Sequence, residues 1–296
     1  MTGSVGVLIT SYNQESLLRQ AIESVLNQTV QPDKIIIVDD ASEDDSRSMI
    51  QSYKNRYPKI IEPIFNDRNY GVTVSRRMAF SRFETRYVTY LDGDDLFSPE
   101  KIEKELDHIK KKGTEIVYSD NYYIDQQNNI LGTWAGDEHV PEGNVFKETF
   151  ARDFPRRSLF RMEMVEREAW EKIGFHDQAL SIYEDFDMRI RLTKECRTSY
   201  LNIPLSSIRL NTDGLSKRPP IEHVAALHFI FGKNKDLLND LSLKDARYCR
   251  KMYSEWILIV IRSALKQARK QKALKDYVNM QLKQYQYLVR ALWNWI

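Results

Sequence analysis

The feature that most restricts the fold is an alternation, over the first 120 residues, of short apolar runs with stretches of helical period. Val5–Ile9, Lys34–Val38, Ile60–Phe65, Tyr87–Leu91 and Ile116–Ser119 are short and rich in β-branched or aromatic residues, and read as strands. Between them, Glu15–Asn27 places Leu17, Leu18, Ala21, Ile22, Val25 and Leu26 on one helical face. Ser46–Tyr57 reads as a helix stopped by Pro58, and Val72–Phe83 as another. Pro99 opens an amphipathic helix over Glu100–Lys112, since proline suits a first helical turn. Pro63 in the third apolar run predicts an edge strand. Strands alternating with helices of this length predict an α/β fold with a mostly parallel sheet and helices on both faces. In such sheets ligands bind outside the carboxyl ends of the strands. Here those ends are Thr10–Asn13, Asp39–Asp40 and Asp92–Asp95, all polar and two of them acidic.

The rest of the chain is organised differently. Asn121–Arg157 contains Gly132, Gly136, Pro141, Gly143 and Pro155 and reads as hairpin and loop. Met164–Ile173 is expected to be a helix ending at Gly174, and Glu184–Lys194 another. From Ile221 onward the pattern turns helical, so a division near Pro219 and Pro220 separates 1–218 from a helical, basic 219–296. At about 150 residues per domain, 296 residues suit one large domain or two small ones and can bury a core without disulfide or metal staples. Cys196 and Cys249 lie far apart with no CxxC spacing, which argues against a disulfide scaffold or a cysteine zinc site. The net charge of +2 gives no support to a nucleic-acid partner. That charge is unevenly spread: 241–296 holds 12 Lys/Arg against 3 Asp/Glu, leaving the preceding 240 residues at −7. Met1–Ser4 leads into Val5–Ile9 without a basic region, and the longest apolar run is Trp256–Ile261. A cytoplasmic location is expected, at most peripheral at the inner face of a membrane.

Asp92-Gly93-Asp94-Asp95 is the strongest local chemical feature. Three carboxylates in four residues repel one another, and hard oxygen ligands suit Mg²⁺ or Mn²⁺. A surface turn in which Asp95 or Ser98 caps the next helix is the plain alternative; the buried strand before it favours a site. Asp39–Asp40 also ends a buried strand, where a carboxylate could accept from a base or ribose, although taken alone the run to Ser46 reads more readily as an ordinary cap-rich loop. Glu184 and Asp185 open a helix. Acids there are favoured by the helix dipole, which suffices to explain one of them; the functional alternative makes one a general base, which must lie within hydrogen-bond reach of a substrate hydroxyl. Arg68, Arg76 and Arg77, and again Arg156 and Arg157, are clustered; bidentate phosphate binding and a solvated basic face both fit. No GxGxxG, P-loop or GxSxG pattern is present.

Taken in order, these segments resemble the family 2 glycosyltransferases of the GT-A fold. The matching stretches are Val7–Asn13, Ile35–Ser42, Asn69–Arg76, Tyr87–Asp95, Ile173–Asp177 and Tyr183–Met188, so the likeness runs over about residues 4–215. The resemblance implies an inverting transfer of a sugar from a nucleotide-diphosphate donor, expected to be a UDP-sugar, to a carbohydrate or lipid-linked glycan acceptor. It implies that Thr10, Tyr12, Asp39 and Arg68 or Arg76 hold the nucleotide, with Arg76 fitting the motif better. Asp92-Gly93-Asp94 looks like the DXD motif, with Asp94 the main ligand of Mn²⁺ or Mg²⁺ and Asp92 near ribose and metal. Asp185 would be the catalytic base, with Glu184 helping to place donor or acceptor. The family often carries a histidine after the Glu-Asp helix; here Asn211 stands in its place, so Asn211 or Asp213 substitutes as third metal ligand or the contact is missing.

Two other functional classes stand beside this one. A sugar nucleotidyltransferase also uses an α/β sheet and Mg²⁺, but needs an early Gly-rich loop, and Thr10–Gln20 contains no glycine. A non-catalytic nucleotide-sugar-binding protein on the same fold is opposed by the presence of Asp39, Asp92, Asp94 and Asp185 together. For the basic tail, a helical bundle with a solvated face or a homodimer contact is the plain reading. An interfacial helix near a lipid-linked acceptor, drawn to anionic lipid, is the sharper one.

Overall fold

The computed structural model describes residues 3–210 and 218–270. The first part of the chain runs β1 (Val5–Ser11), α1 (Glu15–Leu26), β2 (Lys34–Asp39), α2 (Ser46–Arg56), β3 (Ile61–Phe65), α3 (Val72–Phe80) and β4 (Tyr87–Asp92). It continues through β5 (Leu96–Phe97), α4 (Lys101–Lys112), β6 (Ile116–Ile124), β7 (Ile130–Thr133), α5 (Phe146–Ala151), β8 (Met164–Glu166), α6 (Arg167–Ile173), α7 (Glu184–Glu195) and β9 (Thr198–Arg209). Two longer helices follow, α8 (Pro220–Asn234) and α9 (Leu243–Lys270).

The strands form one sheet in the order β3-β2-β1-β4-β8-β6-β9-β5, with β7 beside β6. β3, β2, β1 and β4 are parallel, as are β6 and β9; the other four pairings are antiparallel. β1 is buried at every position and β2 from Ile35 onward, which is why their sequences are continuously apolar rather than alternating. Pro63 falls on β3, the edge strand, where its missing N–H costs no ladder bond. The chain steps from β1 to β2 to β3, then returns through α3 to β4 on the other side of β1. Right-handed crossovers put α1 and α2 on one face and α3 on the opposite one. The order therefore reverses between β1 and β4, and the carboxyl ends of those strands flank a crevice.

Besides the short β5 and the helix α5, which falls in the stretch read as hairpin and loop, two strands differ from expectation. Met164–Glu166 is a strand rather than the first turn of a helix, because it bridges β4 and β6: Val165 opposes both Val88 and Ile116. β9 lies beyond the expected elements altogether. It pairs with β6 along its length through irregularities at Ser119–Asn121 that accommodate Pro204.

The described residues cluster in two compact units. The first, within 1–145 and 154–212, holds the sheet; the second combines Phe146–Asp153 with the helices after residue 212. The expected division between 218 and 219 is thus crossed by one segment, α5. Its rings explain the grouping: Phe150 lies 6.1 Å from Phe231 and 5.7 Å from Tyr253, and the Tyr253 hydroxyl donates to the Leu227 carbonyl at 2.5 Å. In α9, Tyr253, Ile257 and Ile261 recur every four residues and are buried. Among the described residues no helix is long and apolar enough to cross a membrane.

Candidate active site

Register brings the polar strand ends together. Thr10 on β1 lies opposite Asp92 on β4, and Ser11 lies opposite Asp39 on β2. The Thr10 hydroxyl donates to Asp92 Oδ1 at 3.5 Å. Beyond β4 the chain turns sharply, with the Gly93 N–H bonded to the Thr10 carbonyl at 2.9 Å. A Cβ at Gly93 would stand 2.9 Å from that carbonyl oxygen and 3.1 Å from Ser11 Cβ, so the turn requires glycine. The far side of the turn is held by Arg209 of β9. Its N–H donates to Asp95 Oδ1 at 2.8 Å and its Nε to the Asp94 carbonyl at 2.9 Å. Asp94 keeps its side chain partly exposed while Asp95 is buried. Burial, with Asp94 and Asp92 beside it, pushes the Asp95 carboxyl well above the usual carboxylate range.

A second set of bonds ties this turn to the start of α7. Arg76, buried on α3, donates from Nη2 to Asp92 Oδ1 at 2.5 Å and from Nη1 to Glu184 Oε1 at 2.9 Å, with its guanidinium 4.9 Å from the centre of the Tyr90 ring. Arg189, one turn after Asp185 on α7, donates to Asp185 Oδ2 at 2.6 Å and forks onto Glu163 at 3.0 and 3.1 Å. Burial works against charge on Asp185, but Arg189, Arg161 and Arg76 outweigh it and hold the carboxyl far below its ordinary range. Burial and the Asp185 charge push Glu184 upward, against the pull of Arg76. The two neighbours therefore differ in role: Asp185 is ionised and a third exposed, while Glu184 is buried against Arg76.

The Asp39 end of the crevice is built separately. Asp39 Oδ2 accepts from the Ser42 N–H at 3.1 Å and from Arg47 Nε at 2.9 Å, while the buried Oδ1 has no partner among the described residues. Asp40 serves the loop before α3, accepting from the Tyr70 and Gly71 N–H groups at 2.9 and 2.7 Å and from Asn66 at 2.7 Å. Gly71 sits there at φ +85°, a region other residues rarely adopt.

Residues 6–167 match the family described as Glycosyl transferase family 2. An uncharacterized glycosyltransferase of Methanocaldococcus jannaschii is 30% identical over 190 residues, 63% of each chain. The Escherichia coli UDP-Glc:alpha-D-GlcNAc-diphosphoundecaprenol beta-1,3-glucosyltransferase WfgD is 26% identical over 143 residues, 48% of this chain and 55% of that one. The crystal structure of Staphylococcus aureus TarS 1-349 in complex with UDP-GlcNAc superposes with a TM-score of 0.68 at 16% identity, over 88% of this chain and 73% of that one, a likeness of fold. This chain belongs to glycosyl transferase family 2. Its sheet unit has the GT-A fold of that family, and the chain spans 63% and 55% of the two relatives' lengths.

Within this family 2 glycosyltransferase chain, the expected residues fall into three groups. Thr10, Asp92, Arg76 and Glu184 are joined by hydrogen bonds, with Asp94 on the same turn and Asp185 next to Glu184, bonded to Arg189. Asp39 lies at the neighbouring strand end, with Tyr12 exposed just beyond β1. Arg68 stands apart: it is exposed and lies over the Tyr70 ring at 4.7 Å. Asn211 and Asp213 lie outside the described residues. Sequence reasoning missed Arg47, Arg161, Glu163, Arg189 and Arg209. Only Arg189 carried a readable signal, its spacing of four from Asp185 on a helix. Among the described residues no three His, Cys, Asp or Glu side chains converge as a ready metal site. The donor set still suits a hard cation, since Mg²⁺ takes one or two carboxylates and completes its shell with water and phosphate.

Proposed function

We propose that this chain transfers a glycosyl group from a nucleotide-diphosphate donor, a UDP-sugar in the favoured case, to a carbohydrate acceptor, with inversion at the anomeric carbon. The observation that carries the reading is the buried Arg76 guanidinium, which joins Asp92 of the turn after β4 to Glu184 beside Asp185. A donor-binding turn and a candidate base thereby share one crevice at the reversal point of the sheet. WfgD, named for a UDP-Glc donor and a diphosphoundecaprenol-linked acceptor, supports a UDP-sugar and a lipid-linked glycan as the pair to test first.

In this reading Thr10, Tyr12 and Asp39 receive the nucleoside, and the unpartnered Asp39 Oδ1 awaits an N–H of the base. Asp94 and Asp92 are the residues that would hold Mg²⁺ or Mn²⁺, whose chemistry is to neutralise charge on the departing diphosphate. Arg76 orients Asp92 through the bond from its Nη2. The acceptor hydroxyl oxygen bonds to the anomeric carbon as the carbon–oxygen bond to the diphosphate breaks, the bonding pair leaving with the diphosphate. Asp185 takes the hydroxyl proton. A carboxylate held ionised by Arg189 is a weak base, which suffices when the proton leaves late, after the new bond has made it strongly acidic. Asp185→Asn should abolish transfer while UDP binding persists; turnover within tenfold of the wild type would remove Asp185 as base.

A further inference from the structure

Arg161 is unlike the other arginines around the crevice. Arg76, Arg189 and Arg209 each direct their donors onto protein oxygens. Arg161 makes no side-chain hydrogen bond or ion pair with any described residue; burial works against its charge, but Asp185, Asp95 and Asp92 outweigh it and hold it protonated. It is the one exposed residue in Leu159–Val165, a run otherwise buried. Its backbone is fixed on both sides. Phe160 stacks on Tyr118 at 4.1 Å, and Glu163 is clamped by Arg189. Met162 sits at φ +55°, its carbonyl bonded by buried Lys101 at 2.8 Å and by Thr89 at 3.0 Å. A left-handed conformation at a non-glycine residue costs about 1–3 kcal/mol and persists only where surrounding structure enforces it. Here it turns the chain so that one side chain leaves the core.

We propose that Arg161 is an anion-binding residue of the crevice, presenting its guanidinium to phosphate or carboxylate oxygens of a substrate. The proposal rests on the glycosyl-transfer reading for what that substrate is. The chemistry is that of a planar fork whose donors no described residue engages, close enough to several carboxylates for their charge to act on it. An anionic substrate meets repulsion from Asp185 and Asp92, and a protonated arginine close to both offsets it. If Arg161 served only to neutralise those carboxylates, a direct ion pair would be expected, and among the described residues none lies within 4 Å. The anion has two sources: the diphosphate of the donor, or a charged group on the acceptor.

Calorimetry on the full chain with Mn²⁺ separates them, using uridine, UDP and inorganic phosphate as probes. With the donor diphosphate as source, Arg161→Ala weakens UDP at least tenfold and leaves uridine unchanged. With the acceptor as source, UDP is unchanged, and phosphate binding to the UDP-loaded protein falls at least tenfold. Arg161→Lys should recover part of the loss in either case, since it keeps the charge and loses the fork. Unchanged binding of both UDP and phosphate overturns the proposal. So does a variant altered only in the pH profile of kcat, the mark of a counterion to Asp185. If the wild type binds neither uridine nor UDP, the donor reading fails, and phosphate binding to the unliganded protein decides Arg161 by the same tenfold criterion.

Discussion

Replacing Arg189 by methionine tests whether the base is positioned by a buried ionic pair. The guanidinium is 1% exposed and forks onto Glu163, which is wholly buried, while its remaining nitrogen reaches Asp185. Methionine fills much of the volume but leaves Glu163 without its cation. Removing one partner of a buried pair costs about 3–5 kcal/mol. At about 2–4 °C per kcal/mol for a domain of this size, melting should fall by roughly 6–20 °C. The pH dependence carries the sign. Asp185 is held below its unfolded value of 3.8, so its stabilising contribution is complete above that value and is lost as pH falls through it towards the folded value. The melting gap between wild type and Arg189→Met should therefore be widest near neutrality and narrow below about pH 4. Transfer should fall by about 10²-fold, the scale for a base displaced by an ångström. Calorimetric melts across pH 3–8, with initial rates at pH 7, supply both readouts. A variant melting within 2 °C of wild type at pH 7, or a gap that widens on acidification, refutes the reasoning.

Asp94→Ala should leave UDP affinity insensitive to Mn²⁺ in calorimetric titrations; a preserved metal response would move the cation elsewhere. Gly93→Ala forces a Cβ against the Thr10 carbonyl oxygen at 2.9 Å, so thermal melts should show a loss of about 1–3 kcal/mol, with Mn²⁺-dependent UDP binding weakened in parallel. Lys101 and Glu105 form a fully buried pair at 2.6 Å, with Ser119 donating to Glu105 at 2.8 Å. Lys101→Met alone should cost about 3–5 kcal/mol in denaturant melts, and the double change with Glu105→Leu should recover most of it.

How much of this was legible depends on the range of the forces involved. β1, β2 and β4 were readable because a strand buried on both faces must be continuously apolar, and their acidic ends stood out for the same reason. Met164–Glu166 misled because three apolar residues before a helical pattern satisfy either period; pairing with Val88 and Ile116 decides it. β9 was hidden by Pro204 and a polar run whose partner, β6, lies some eighty residues away. In the site, Asp185 and Arg189 share a helix face and were within reach of spacing arguments. Glu163, 26 residues from Arg189, and Arg209, more than a hundred from Asp94, were not. Arg161 had no local signal at all, because its exposure follows from a backbone conformation imposed by Lys101 and Thr89.

The buried arginines also bear on why the site is made this way. On the inverting transfer proposed above, a leaving diphosphate and an attacking hydroxyl stand on opposite sides of one carbon, and rate falls steeply when either side drifts. Here the two sides come from segments more than ninety residues apart, the turn at Asp92 and the helix start at Glu184. A flexible surface contact would leave their separation loose. Arg76, 7% exposed, bonds both carboxylates at once and stacks on Tyr90, whose hydroxyl is held in turn by the Arg189 group that orients Asp185. The turn at Asp92 and the helix start at Asp185 are therefore linked through two guanidiniums meeting at one tyrosine. A change at either arginine should disturb both ends of the reaction, so Arg76 and Arg189 substitutions should combine non-additively in kcat, as members of one network do.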